Sequence, residues 1–129
     1  AGFSTVKPWF SVNPNYKQIN VEAQEDDPGS LLNFYRRLLA FRKNNAVALY
    51  GMYKEYAPKD KNFYVYERRY GGKRLLVICC CASEFTRFDA PEGITLDDWT
   101  LELSNYDGCF VIGNGFTARP YELRVYSLG

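Results

Sequence analysis

Histidine is absent from all 129 residues, and that absence removes much ordinary enzyme chemistry. A Ser–His–Asp or Cys–His arrangement has no base, and a zinc site has lost its usual nitrogen donor. The four cysteines do not make up for it: Cys79, Cys80 and Cys81 are consecutive, Cys109 stands far off, and no C-x-x-C spacing occurs. Neither a zinc ribbon nor a disulfide framework is expected, and the three neighbours read as small core residues in a reducing, cytoplasmic setting. No metal ion and no cofactor is expected. An excess of one charge is lacking too, since 16 Lys and Arg face 15 Asp and Glu for a net charge of +1. Such a balance gives no electrostatic footprint for nucleic acid or for an anionic membrane surface. No apolar run approaches the roughly 18 residues of a membrane span. The opening Ala1-Gly2-Phe3-Ser4-Thr5 has neither the charged nor the apolar region of a signal peptide. The chain does not start with Met, and the expectation is a piece of something longer.

What is present is apolar and aromatic: 47% of residues are hydrophobic and 17% aromatic, enough for one domain with a real core. The most informative stretch is a pair of β-rich runs, Phe63–Tyr70 and residues 73–82, separated only by Gly71-Gly72. Two glycines supply the positive φ that a two-residue hairpin turn needs at both central positions. The second run is apolar from Leu75 through Ala82, so both of its faces must be covered and it reads as a central strand. The first run sets Phe63, Val65 and Glu67 on one face and Tyr64, Tyr66 and Arg68 on the other, as suits a strand with one face nearer water.

Before the hairpin, residues 1–27 show no periodicity and carry Pro8, Asn13, Pro14, Asn15 and Asn20, so they read as an irregular arm. The arm nevertheless holds Phe3, Trp9, Phe10, Tyr16 and Ile19, which need a surface to lie on. Asp27-Pro28 reads as an N-cap with proline at the first helical position. The helix over residues 28–45 has an apolar stripe of Leu31, Phe34 or Tyr35, Leu38 and Phe41, widened by Leu32 and Leu39, and Asn44-Asn45 stops it. That stripe is broad enough for two hydrophobic neighbours. From Ala46 the period shifts to two and reads as a strand running to a turn at Pro58. After the hairpin come short strands around Phe85–Phe88, Trp99–Leu103 and residues 118–128, where Tyr121, Leu123 and Val125 share a face. Cys109 to Ile112 is a brief apolar run before the turn Gly113-Asn114-Gly115. Turns at about ten-residue spacing imply an antiparallel sandwich or barrel. The expected fold is mainly β, a sandwich preceded by one α-helix and the irregular arm.

Residues for chemistry are few. Asp26-Asp27 suits a helix cap, and Asp97-Asp98 suits a turn in which adjacent side chains diverge, whereas acid–base cleavage needs two carboxylates converging on one bond. The basic cluster Arg36, Arg37, Arg42 and Lys43 reads as a solvated helix face. Gly113-Asn114-Gly115 precedes a strand, not the helix that a phosphate loop needs. No catalytic, cofactor-binding or metal-ligating residue is expected in this chain. Exposed Trp9 and Trp99 would suit a sugar-binding module; as core or interface anchors they would have no such role.

The stretch Lys7-Pro8-Trp9-Phe10-Ser11-Val12-Asn13-Pro14-Asn15-Tyr16, after Ala1-Gly2-Phe3, resembles the region near the end of the catalytic barrel in α-glucosidases of glycoside hydrolase family 13. The similar group comprises oligo-1,6-glucosidases, sucrose isomerases and trehalose-6-phosphate hydrolases. Asp27-Pro28-Gly29-Ser30-Leu31-Leu32-Asn33-Phe34-Tyr35-Arg36-Arg37-Leu38 with Phe41-Arg42-Lys43 resembles the last barrel helix. Leu103-Ser104-Asn105-Tyr106, Arg119-Pro120-Tyr121-Glu122 and Val125-Tyr126 resemble the carboxy-terminal domain C, a Greek-key sandwich. The resemblance implies residues 1–27 as an arm from the barrel end, 28–45 as the last barrel helix and 46–129 as domain C. It implies a retaining hydrolase of α-glucosidic bonds whose three carboxylates lie upstream. The partner is then the missing catalytic barrel of the same polypeptide, oligosaccharide is met only through the full-length enzyme, and the isolated piece is expected to self-associate. An autonomous carbohydrate-binding sandwich is the alternative reading.

Overall fold

A computed structural model describes residues 4–129; Ala1, Gly2 and Phe3, with the part of the barrel-end motif and of the arm they carry, lie outside the described residues. Two compact units divide at Ala40 and Phe41.

The second unit is built on the Gly–Gly hairpin. β2 (Phe63–Tyr70) and β3 (Lys73–Cys80) pair antiparallel from Phe63↔Cys80 to Tyr70↔Lys73, and Gly71 and Gly72 sit at φ 56° and 79° as a primed turn requires. With β1 (Met52–Tyr56), β5 (Thr100–Ser104) and β7 (Leu123–Leu128), they form a five-stranded sheet of order β1-β2-β3-β7-β5. β4 (Thr86–Asp89) and β6 (Gly115–Ala118) form a second, two-stranded sheet. The chain alternates between sheets after β3, and returns β7 between β3 and β5. As its apolar run demands, β3 is covered on both faces, but only to Cys80: Cys81, expected as a core residue of the same strand, lies past its end and is exposed. Leu76, Ile78 and Cys80 meet Phe88 and Phe116 of the small sheet, with Val65, Leu96, Trp99 and Tyr126. Leu75 and Val77 face the other way, against Val47 and Val125. The architecture is the expected antiparallel sandwich.

Several details differ from the sequence reading. Residues 46–50 form a short helix, α3 (Ala46–Tyr50), and not the start of a strand. Asn45, expected to end the preceding helix, accepts a hydrogen bond from the Ala48 amide and so begins another. The alternation Val47-Ala48-Leu49 also fits one helical turn, and only Val47 is buried. Gly51 ends α3, and a Cβ there would stand 3.0 Å from Arg68 Cβ and 3.1 Å from the Arg69 amide. Residues 118–128 are not one strand either: Ala118 ends β6 in one sheet and Leu123 begins β7 in the other. Tyr121, at φ 56°, lies in the turn between them and does not share the face of Leu123 and Val125.

The first unit contains α1 (Val21–Glu25), a single turn capped by Asn20 inside what reads as an irregular arm. α2 (Leu31–Lys43) starts three residues later than Asp27-Pro28 suggests. Asp27 Oδ1 accepts from the Gly29 amide at 2.9 Å, closing a turn, and Ser30 Oγ accepts from the Asn33 amide at 3.3 Å and caps the helix. Gln24 Oε1 accepts from the Leu32 amide, and Asn33 Nδ2 donates to the Asp27 carbonyl at 2.8 Å, so polar bonds hold this turn together. The expected single helix is therefore one of three α-helices among the described residues. None of the residues of α2 is buried.

Candidate functional site

Two carboxylates are fully enclosed in the sandwich, and they are the natural places to look for chemistry. Glu67 follows Phe63 and Val65 on the inner face of β2 and is 0% exposed. Arg69 Nε donates to its Oε1 at 2.6 Å and Arg69 Nη2 to its Oε2 at 2.8 Å. The Tyr56 hydroxyl donates to Oε2 at 2.6 Å, and Arg74 Nε completes the set on Oε1. Arg74 in turn lies over the Trp99 ring, 4.8 Å from its centroid. Burial alone would raise the Glu67 carboxyl, but the donors from Arg69, Arg74 and Tyr56 outweigh it and hold it at about 2.

Glu122 is the counterpart at the start of β7. Arg124 Nε donates to its Oε1 at 2.7 Å, and Arg119 gives Oε2 a backbone bond at 2.8 Å and a side-chain bond at 3.0 Å. Burial again pushes upward and the arginines pull further downward, to about 2. Arg124 is stacked 3.5 Å over the Phe116 ring and also donates to the Tyr126 hydroxyl. Neither glutamate is a workable acid or base at neutral pH. Each is ionised, weakly basic and wrapped by guanidinium groups.

The sequence-level candidates fare as turn and core residues. Asp26 ends α1, Asp27 closes its turn, and Asp97-Asp98 lie in a 3-10 turn, Leu96–Asp98. Trp99 is 7% exposed inside the core and has no free ring face for a sugar. Trp9 is 92% exposed and stacked on Phe10. Arg36 pairs with Glu25 at 3.2 Å, and Arg37 donates to the Pro28 carbonyl at 2.7 Å. Asn114 makes the Gly–Asn–Gly turn a structural plug, accepting from the Leu96 amide at 2.8 Å and donating to the Ile94 carbonyl at 2.6 Å. All four cysteines are free thiols; burial and the neighbouring Cys81 push the Cys79 thiol up to about 11, away from nucleophilic use.

A cleft of about 500 Å³ opens beside α3, bordered by Asn45, Val47, Lys73, Glu102 and Ser127. Among the side chains bordering it, one is a carboxylate, Glu102, and that already accepts from Ser127 Oγ at 2.5 Å. Sequence reasoning passed over Glu67 and Glu122. The usable signal was a glutamate on an otherwise apolar strand face with an arginine two residues on, as in Glu67-Arg68-Arg69 and Glu122-Leu123-Arg124.

A model of the alpha-amylase catalytic domain matches residues 1–51, a stretch that ends with α3 and Gly51. An oligo-1,6-glucosidase of Halalkalibacterium halodurans is 40% identical over an alignment of 129 positions that covers 97% of this chain and 22% of that protein. A crystal structure of Bacillus licheniformis trehalose-6-phosphate hydrolase superposes with a TM-score of 0.86 at 31% identity, over 98% of this chain and 23% of that one. An isomaltulose synthase from Protaminobacter rubrum does so with a TM-score of 0.88 at 30% identity, over 99% and 23%. The chain thus spans less than a quarter of the length of the relatives it matches.

Proposed function

We propose, for a chain that belongs to glycoside hydrolase family 13 alongside the oligo-1,6-glucosidases and trehalose-6-phosphate hydrolases, the role of a non-catalytic carboxy-terminal part that packs on and stabilises a catalytic barrel. The parent polypeptide cleaves α-glucosidic bonds of oligosaccharides with retention, in the cytoplasm, using carboxylates outside these residues. Residues 1–27 are the arm from the barrel end, 28–45 its last helix and 46–129 domain C. The observation that carries this reading is α2. Its Leu31, Tyr35 and Leu39, spaced four residues apart on one stripe, are 66%, 55% and 60% exposed. A helix with such a stripe is shaped for a neighbour, and the polypeptide of the relatives supplies far more chain than is present here.

The junction supports the same reading. α3 closes the segment that matches the catalytic domain, yet its Val47 lies in the outer core of the sandwich with Leu75, Val77 and Val125. A barrel ending in this way is mechanically tied to the sandwich. The test compares the full-length polypeptide with this 129-residue chain on 4-nitrophenyl α-glucoside. Turnover only by the former is expected, and removal of residues 46–129 should lower its melting temperature. Turnover by this chain alone, or an unchanged melting temperature after the deletion, overturns the proposal.

A further inference from the structure

A recess opens on the sandwich around Phe85, Phe110 and Ile112. Phe85, Phe110 and Ile112 wall it and are 70%, 72% and 69% exposed, Thr117 of β6 borders it, and Arg119 and Arg124 line it; its volume is about 230 Å³. No carboxylate lines it. The two arginines share one counterion, Glu122, so the cluster keeps one positive charge in excess. Arg124 is 3% exposed. Its Nε is taken by Glu122, and its Nη1 by the Phe110 carbonyl at 3.0 Å and the Tyr126 hydroxyl. Its Nη2 makes no hydrogen bond among the described residues, and it is not among the side-chain atoms sealed from solvent without a partner, of which Arg68 Nε is the one found. A nearly buried guanidinium that lines a recess with apolar walls thus keeps one donor unpaired.

Those walls are fixed in place. Arg119 Nη1 donates to the Asp107 carbonyl at 2.7 Å and Arg124 Nη1 to that of Phe110, so the same two arginines fasten the loop that carries Phe110. The Ile112 amide donates to the Gly115 carbonyl at 2.8 Å, and the Ile112 carbonyl accepts from Arg87 Nη2 at 3.0 Å. Little order need be imposed on a ligand's arrival. We infer that this recess is a binding site for a small monocarboxylate carrying one apolar group, the carboxylate on the open donor of Arg124 and the apolar group between Phe110 and Ile112. Charge-assisted bonding from guanidinium selects the anion, and the aromatic and aliphatic walls select against strongly hydrated ones.

Phenylacetate, phenylacetamide and inorganic phosphate serve as probes in amide-resolved NMR titrations of the 129-residue chain. Phenylacetate is expected to shift the Gly108, Ile112 and Thr117 amides saturably, with the neutral amide and phosphate each weaker by about tenfold or more. Phe110→Ala and Ile112→Ala alter exposed side chains and leave the fold intact, and each should weaken phenylacetate by several-fold. Equal binding of phenylacetamide would reduce the site to an apolar patch, and equal binding of phosphate to a bare cation. Either result, or no saturable shift with phenylacetate, overturns the inference. None of these outcomes depends on the family role.

Discussion

Before Phe41, Leu31, Tyr35 and Leu39 are all more than half exposed, whereas in the sandwich Leu76, Ile78 and Leu96 are 0%, 1% and 1% exposed. Both sets are large apolar side chains, so the difference lies in what each segment brings with it. A hairpin carries its own partner strand, and successive strands assemble two sheets that hide each other's apolar faces. The short α1 and the helix α2 bring no second layer with them, and their exposed stripe is the surface that the proposed barrel would cover. The polar bonding follows the same divide. The first unit is held by caps and turns at its surface, through Asp27, Ser30 and Asn33. The sandwich spends arginines on two enclosed glutamates.

Core truncation separates the two regions most sharply. Leu76→Ala, at a fully buried site on the central strand, should cost about 4 kcal/mol in urea unfolding, while Leu39→Ala should stay within about 0.5 kcal/mol. A similar loss at both sites would erase the distinction. Glu122→Gln leaves the nearly buried Arg124 facing a neutral partner and should cost about 3 kcal/mol, against no measurable change for Glu25→Gln, whose partner Arg36 is half exposed. Gly51→Ala pushes a methyl group against the Val47 carbonyl oxygen at the end of α3, and against Arg68 Cβ and the Arg69 amide of β2, and should cost about 2 kcal/mol, read as a lower melting temperature.

The pH dependence is the gentlest probe. Glu67 and Glu122 sit at about 2 in the folded chain against an ordinary 4.5, so the unfolded chain binds more protons between those values. Their contribution is complete above the ordinary carboxyl range and is lost as pH falls through it toward about 2. Urea midpoints should therefore decline over that window in the parent chain, and decline less in Glu67→Gln. A flat profile would remove the enclosed pairs from the account.

Much of the sandwich could be read from residue order because its signals are local. Gly71-Gly72 dictates a turn, and the apolar run from Leu75 dictates a strand covered twice as far as Cys80, although the run itself continues to Ala82 beyond the strand's end. The misreadings came where a pattern fits two structures. Val47-Ala48-Leu49 alternates as a strand would, yet the Asn45 side chain can cap a helical turn there, and the local bond decided it. The strand expected over residues 118–128 breaks because Tyr121 takes a left-handed conformation that no periodicity announces. The enclosed glutamates were hidden for a different reason: Glu67 reaches Arg74 from the neighbouring strand, and Glu122 meets Arg119 only through the turn between sheets. Such partners exist only once the register is set.

Hydrogen exchange followed residue by residue, on this chain and on the full-length polypeptide, bears most directly on the claim that the sandwich is self-sufficient and the helical segment is built for a missing body. Slow exchange across Phe63–Tyr70 and Lys73–Cys80 is expected in both, with amides of residues 32–40 fast in this chain and strongly protected in the longer one. Equal protection of residues 32–40 in the two would contradict it.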